Sequence, residues 1–186
     1  MMIARALLAL GLCALLSGCL MLNDVRPVDT TERFEAKDRE GLVLFEISRD
    51  ASYVPTDPKH FGLFLLFTQE DPKTGAMIGD CFRWDHFRAN SDFRSDKAPK
   101  YFLVRMPVAT YSIRDFDHNV FWHFTIRAGV VNYLGNFIET GSEKVEIRAD
   151  VDQAREPLGK YPSINAAIQL VELLPGGHGG FLMCTP

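Results

Sequence analysis

The sequence lacks an excess of positive charge. Its 20 Lys and Arg residues are outnumbered by 24 Asp and Glu residues, which gives a formal net charge of -4 at pH 7. Proteins that bind nucleic acids usually carry a basic excess that neutralises phosphates. The composition therefore argues against a nucleic-acid partner, and the length of 186 residues with 47% hydrophobic residues is typical of a single globular domain.

Long hydrophobic runs and catalytic motifs are also missing. The apolar run Ala6–Leu16 is shorter than the roughly 20 residues that a transmembrane helix needs. The sequence contains no HExxH, paired CxxC, GxSxG or phosphate-loop pattern. We therefore expect a protein that has no transmembrane helix, is not an enzyme and uses no cofactor.

The N-terminus has the layout of a secretory signal. Arg5 precedes the apolar run, and small residues follow it. The residues Leu16-Ser17-Gly18-Cys19 resemble the lipobox of bacterial lipoproteins. The resemblance implies that residues 1–18 are a cleaved signal peptide and that Cys19 is the lipidation site. The alternatives are an ordinary signal peptide or a buried helix that happens to contain a cysteine.

The same resemblance predicts where the protein is attached. In the enterobacterial sorting pattern, lipoproteins of the inner membrane have Asp directly after the acylated cysteine. This chain has Leu20 at that position, and the resemblance therefore favours the outer membrane. Two or more acyl chains are enough for stable attachment. The expected partners are the membrane, through the N-terminal lipid, and an envelope protein. We expect the domain to face the periplasm and to have a non-catalytic binding or structural role there or at the outer membrane, and the sequence leaves exposure at the cell surface open.

Residues 19–40 are predicted to be a lipidated, flexible tether. Between Leu20 and Glu40 there are six acidic and four basic residues, with Phe34 as the only aromatic residue. Such a mixture buries little apolar surface and stays solvated. Residues 41–186 are left for the folded domain and its C-terminal tail.

The remaining cysteines suggest a structural role. Lipidation of Cys19 and removal of Cys13 leave Cys81 and Cys184. Cysteine pairs in an oxidising compartment usually form disulfides, so we expect a Cys81–Cys184 bridge that ties the C-terminal tail to the domain. Two separate buried thiols are the alternative.

From residue 41 onwards, short apolar runs alternate with turn residues. This pattern predicts a mainly-β fold, a single antiparallel β-sandwich. A short helix is predicted over Asp150–Glu156, with Asp150 as its N-cap and Pro157 ending it. The segment Ile164–Leu174 fits either a helix or a strand. The predicted strands are Leu42–Ser48, Phe61–Gln69, Tyr101–Met106, Thr110–Phe116, Phe121–Ile126, Val130–Glu139 and Glu143–Arg148.

Two stretches carry a family resemblance. Met106–Tyr111 is similar to a "P-x-G-x-Y" turn, with Ala109 in place of the glycine, and Phe124–Asn136 looks like an "F-x-V-x-A-G-x-x-x-Y-L-G" hairpin. Both resemble small Gram-negative lipoproteins of uncharacterised function. The resemblance implies a transthyretin-like or immunoglobulin-like sandwich, and it brings no catalytic residues.

One group of side chains suggests a different function. Asp115, Asp117, His118 and His123 surround a predicted turn, and carboxylates with imidazoles are a ligand set that suits zinc. This is the basis of an alternative hypothesis, a metal-dependent hydrolase that uses the Asp115–His123 turn. The competing interpretation is a solvated hairpin turn, with His123 as part of a strand.

A basic stretch, residues 81–105, is the last feature with a functional interpretation. It carries six basic and three acidic residues, with aromatic residues between them. In a protein of the envelope it would face anionic lipid headgroups, lipopolysaccharide or an acidic partner. We favour the simpler interpretation, a long polar loop held by a few aromatic side chains.

Overall fold

The computed structural model describes residues 26–54, 62–75, 87–91, 93, 98–115, 120–141 and 144–176, and these residues fold mainly into strands. The elements are β1 (Arg26–Pro27), β2 (Phe34–Glu35), β3 (Gly41–Arg49), β4 (Phe64–Glu70), β5 (Phe87–Asn90), β6 (Lys100–Met106), β7 (Thr110–Asp115), β8 (Val120–Thr125), β9 (Val131–Gly141), β10 (Lys144–Arg148), α1 (Arg155–Leu158), β11 (Ile164–Asn165), β12 (Ile168–Leu170) and β13 (Leu174–Pro175).

The strands form two main sheets. The first sheet has the order β1-β6-β3-β9-β10, with β12 also on β9, and the second has the order β13-β8-β7-β4-β5. All seven predicted strands are present, with ends that differ from the prediction by three residues or fewer. The predicted mainly-β sandwich is confirmed. Three strand pairs are parallel where the prediction was antiparallel: the central pair β3–β9, the pair β12–β9 and the short pair β2–β11.

Aromatic side chains fill the space between the two sheets. Phe45 from the first sheet lies 5.0 Å from Phe67 of the second sheet and 5.0 Å from Phe102, measured between ring centroids. Trp122 and Phe137 meet edge to face at 5.6 Å. Large rings in tilted and edge-to-face contact bury much apolar area and add a specific attraction, so this layer holds the two sheets together.

The other face of the first sheet is covered too, and this corrects the predicted tether. Val28 and Phe34 are buried against Leu44, Leu103 and Tyr133 in a second apolar cluster, and Phe34 has 0% of its surface exposed. In addition, β1 pairs with β6, and β2 pairs with β11. Residues 26–40 are therefore part of the folded domain. Residues 19–25 lie outside the described part of the chain.

Ion pairs explain how such a charged segment can pack. Nε of Arg105 lies 2.8 Å from a carboxylate oxygen of Glu32, and Nη1 lies 3.0 Å from one of Glu40. The guanidinium also covers the Phe34 ring at 5.0 Å. Some of the acidic side chains that were predicted to be solvated therefore hold residues 26–40 against the sheet. The buried apolar area of this segment comes from Phe34 and Val28.

The predicted C-terminal helix is shorter and begins later. Residues 151–154 form turns, and α1 covers Arg155–Leu158, with Ala154 rather than Asp150 at its N-cap. The Asp150 carboxylate instead accepts a hydrogen bond from the Asp152 backbone N–H, a local turn that competes with a helix start. Pro157 lies within the first turn of α1 and does not end the helix. Backbone N–H groups of a first turn have no acceptor within the helix, so the missing N–H of a proline costs no hydrogen bond there. The ambiguous segment 164–174 contains β11, β12 and the first residue of β13.

Candidate functional site

Most of the predicted site residues lie outside the described part of the chain. These residues are Cys19, Cys81, Asp117, His118 and Cys184. The lipidation site, the disulfide and half of the metal set therefore stay predictions.

The basic stretch 81–105 is described only in part. Its rings Phe87 and Phe93 are buried in the core, and Arg105 is paired with acidic side chains. The described portion thus agrees with the interpretation of a loop that is held by a few aromatic side chains. Arg105 makes its ion pairs within the domain.

The structure does not bring Asp115 and His123 together. Along β7, Tyr111 and Ile113 point into the core between the sheets, and Asp115, two residues on, is buried on the same face. His123 is registered against Ser112, so it lies on the opposite face of the sheet. Among the described residues, no three His, Cys, Asp or Glu side chains are grouped so as to hold a metal ion.

His123 has a different partner, Glu70. The imidazole Nδ1 lies 2.6 Å from a carboxylate oxygen of Glu70, whose side chain is only 6% exposed against 30% for the imidazole. The two residues are on β8 and β4, so the contact spans the central strand β7. Ser112, which is registered against His123 on β7, is buried. The carboxylate therefore fixes the orientation of the ring, with Nδ1 committed to Glu70.

A polar cleft lies beside His123. Its volume is about 240 Å³, and it is lined by residues of β8 and of the chain that runs through β12 to β13. The hydroxyls of Thr110 and Thr125 lie 3.1 Å apart, and Arg127 donates a 2.9 Å hydrogen bond to the Gln169 side chain. Hydroxyl, amide, imidazole and guanidinium groups at one opening suit a small polar ligand that both donates and accepts hydrogen bonds. The polar side chains of the polar cleft are Thr110, His123, Thr125, Arg127, Gln169 and Glu172.

An apolar cleft of about 360 Å³ is also lined by the β12–β13 chain and shares Leu170 and Val171 with the polar cleft. It lies near a β-bulge, where Tyr133 pairs with Leu44 and Gly135 pairs with Phe45, so that Leu134 is the extra residue. Gly135 has φ 99°, and a side chain there would collide with the Arg148 carbonyl. The bulge comes between the parts of β9 that pair with β12 and with β10. The lining consists of Trp122, Leu134, Val145, Ile147, Ala149, Leu170, Val171 and Leu173.

Glu46 is a buried acid on the outer face of the first sheet. It is registered against Tyr101, which is partly exposed. Burial raises the pKa of the Glu46 carboxyl, and the negative charge of Glu156 raises it further. Burial, with the charge of Glu46 as a second cause, raises the pKa of Tyr133 to about 12. Ionised Glu46 is thus disfavoured in the folded protein.

We expect the Glu46→Gln variant to be more stable than the wild type at pH 8 and equally stable at pH 3. The folded state holds the Glu46 proton more tightly than the unfolded chain, whose pKa is close to the ordinary 4.5. The stability that this proton contributes is complete below the unfolded pKa and is lost as the pH rises through the folded pKa. Urea unfolding at both pH values tests this.

The matched control for Glu46 is Glu146→Gln. Glu146 lies on β10, and its side chain is 54% exposed. This variant should show no comparable gain at pH 8. A Glu46→Gln variant that is no more stable than the wild type at pH 8 would contradict the assigned effect of burial.

Sequence reasoning missed Glu70, Thr110 and Thr125. The available signal was alternation: Thr68 and Glu70 are two residues apart on β4, as are Thr110 and Ser112 on β7. Polar residues with a period of two mark one face of a sheet. The pairing with His123 is not visible in this pattern, because it depends on the register of three strands.

Comparison of the chain with protein-family models, with curated proteins and with solved structures found no match. No helix within the described ranges is long and apolar enough to cross a membrane.

Proposed function

We propose that this chain is a lipid-anchored protein of the bacterial envelope, attached through Cys19 to the outer membrane and facing the periplasm. Its β-sandwich domain has a binding or structural role rather than a catalytic one. The proposal starts from Leu16-Ser17-Gly18-Cys19, which follows an apolar run of signal-peptide length. An acylated cysteine with two or more chains would hold the domain at the membrane stably.

The packing of residues 26–40 is the observation that carries this proposal furthest. Because β1 begins at Arg26, only residues 20–25 separate the lipidation site from the folded domain. A chain of that length reaches at most about 25 Å when fully extended. The domain would therefore work close to the membrane surface, and a partner would be found there.

The two clefts support a binding role. The polar cleft offers hydrogen-bond donors and acceptors, and the apolar cleft offers a hydrocarbon surface, with Leu170 and Val171 lining both. Adjacent polar and apolar clefts suit an amphipathic ligand. His123 is held by Glu70 at the edge of the polar cleft and would act there as a positioned hydrogen-bonding group.

Membrane fractionation of the full-length protein tests the proposal. Wild type should sediment with the membranes and resist extraction by high salt, because acyl chains and not charges hold it. Cys19→Ala should lose this attachment through the loss of the acylated thiol. Cys13→Ala is the matched control, since Cys13 lies in the segment expected to be removed, and it should behave like wild type. Wild-type protein found in the soluble fraction would refute the proposal.

A further inference from the structure

The position of Arg26 determines which end of the sandwich receives the preceding chain. β1 is antiparallel to β6, with Arg26 registered against Arg105, one residue before the end of β6 at Met106. The chain before Arg26 therefore leaves the sheet at the end where β6 finishes and β3 begins, since Gly41 is registered against Met106. We call this the Met106 end.

Three connections lie at the Met106 end. Residues 36–40 lead into β3, residues 107–109 join β6 to β7, and residues 126–130 join β8 to β9. Hydrogen bonds link them: Gly129 N–H donates to the Glu40 carbonyl, and Ile126 N–H donates to the Ala109 carbonyl. The three connections therefore form one continuous surface.

This surface combines an exposed hydrophobic side chain with cationic side chains. Val108 is 49% exposed, although it is a large hydrophobic residue. Arg39, Lys73 and Arg127 are exposed at the same end. The acids of this end are less exposed than these cations: Glu32 and Glu40 are paired with Arg105, Asp38 lies 4.0 Å from the same guanidinium, and Asp71 is only partly exposed.

We infer that the Met106 end is the surface that rests on lipid headgroups. The inference rests on the proposed function, because it takes Cys19 as the anchor. The six intervening residues reach at most about 25 Å, and they start from this end. Strand β3 alone, Gly41–Arg49, extends for about 26 Å away from it.

The side chains of this end match the proposed occupant. Cationic groups attract the anionic headgroups of a membrane surface, and the single apolar side chain of Val108 fits the boundary between headgroups and acyl chains. The polar cleft lies near the same end, because two of its lining residues are Thr110, which begins β7, and Thr125, which ends β8. A headgroup would meet hydroxyl and guanidinium groups rather than a closed apolar surface.

Photo-crosslinking in membranes tests the inference with two matched valines. Val54 is 77% exposed and follows β3 at the opposite end of the sheet, where the Asp50 N–H donates to the Glu139 carbonyl. A photoreactive diazirine amino acid is placed at position 108 or 54 of the full-length protein, and isolated membranes are illuminated. Both positions are exposed, so folding should be unaffected.

The expected result is a phospholipid adduct at position 108, seen by intact mass, and no adduct above background at position 54. An adduct at position 54 that equals or exceeds the one at 108 would overturn the inference. So would the lack of an adduct at 108 in protein whose mass shows acylated Cys19, and in that case the anchor would stand. Protein without acyl mass would overturn the proposed function and this inference together.

Discussion

Replacement of Phe34 by alanine is expected to destabilise the domain by about 3–5 kcal/mol, the usual range for a fully buried phenylalanine. Phe34 has no exposed surface and packs in the second apolar cluster, under the guanidinium of Arg105. Its removal would leave a cavity between residues 26–40 and the first sheet. Urea unfolding, monitored by circular dichroism, measures the loss.

Arg39→Ala is the matched control for Phe34. Arg39 lies in the same segment, but its side chain is exposed. The control should change stability by no more than about 0.5 kcal/mol. If Phe34→Ala behaved like the control, residues 26–40 would be a flexible tether rather than part of the domain. The limit of about 25 Å between Cys19 and the folded domain would then no longer apply.

The second largest effect is expected for Asn132→Ala, a loss of about 2–4 kcal/mol from buried groups left without partners. The Asn132 carboxamide is fully buried. Its oxygen accepts a hydrogen bond from the Arg127 N–H at 2.9 Å, and its nitrogen donates to the Arg127 carbonyl at 3.0 Å and to the Leu42 carbonyl at 3.1 Å. This side chain fixes the connection 126–130 against β3.

Asn136 provides the comparison on the same strand. Its side chain is only partly buried and accepts one hydrogen bond, from the Ser48 hydroxyl at 2.8 Å. Asn136→Ala should therefore cost about 1 kcal/mol. Equal losses of stability for Asn132→Ala and Asn136→Ala would contradict the assigned role of the Asn132 carboxamide.

The pattern of apolar and polar residues predicted the seven longer strands well, because each of them has a buried or half-buried face. In β10, Val145 and Ile147 alternate with charged residues, and the structure has the same alternation of half-buried and exposed side chains. The charged segment 26–40 was mispredicted for a physical reason. Two of its carboxylates, Glu32 and Glu40, pair with Arg105, a residue far away in the sequence, and two apolar side chains are enough to anchor the segment.

The candidate site was less accessible to sequence reasoning. Asp115 and His123 are close in sequence, but they lie on opposite faces of the sheet. His123 is registered against Ser112, and Ser112 and Asp115 are three residues apart on β7, so their side chains point to opposite faces. Glu70 is distant in sequence, yet it reaches His123 across β7. Cross-strand register decides both outcomes. It follows from the packing of the whole sheet rather than from any local pattern.

Intact mass of the protein purified from membranes tests the central claim most directly. The account predicts a chain that begins at Cys19 and carries the added mass of two or three acyl chains, and no such species for Cys19→Ala. A wild-type chain that begins at another residue, or that begins at Cys19 without added acyl mass, would contradict it.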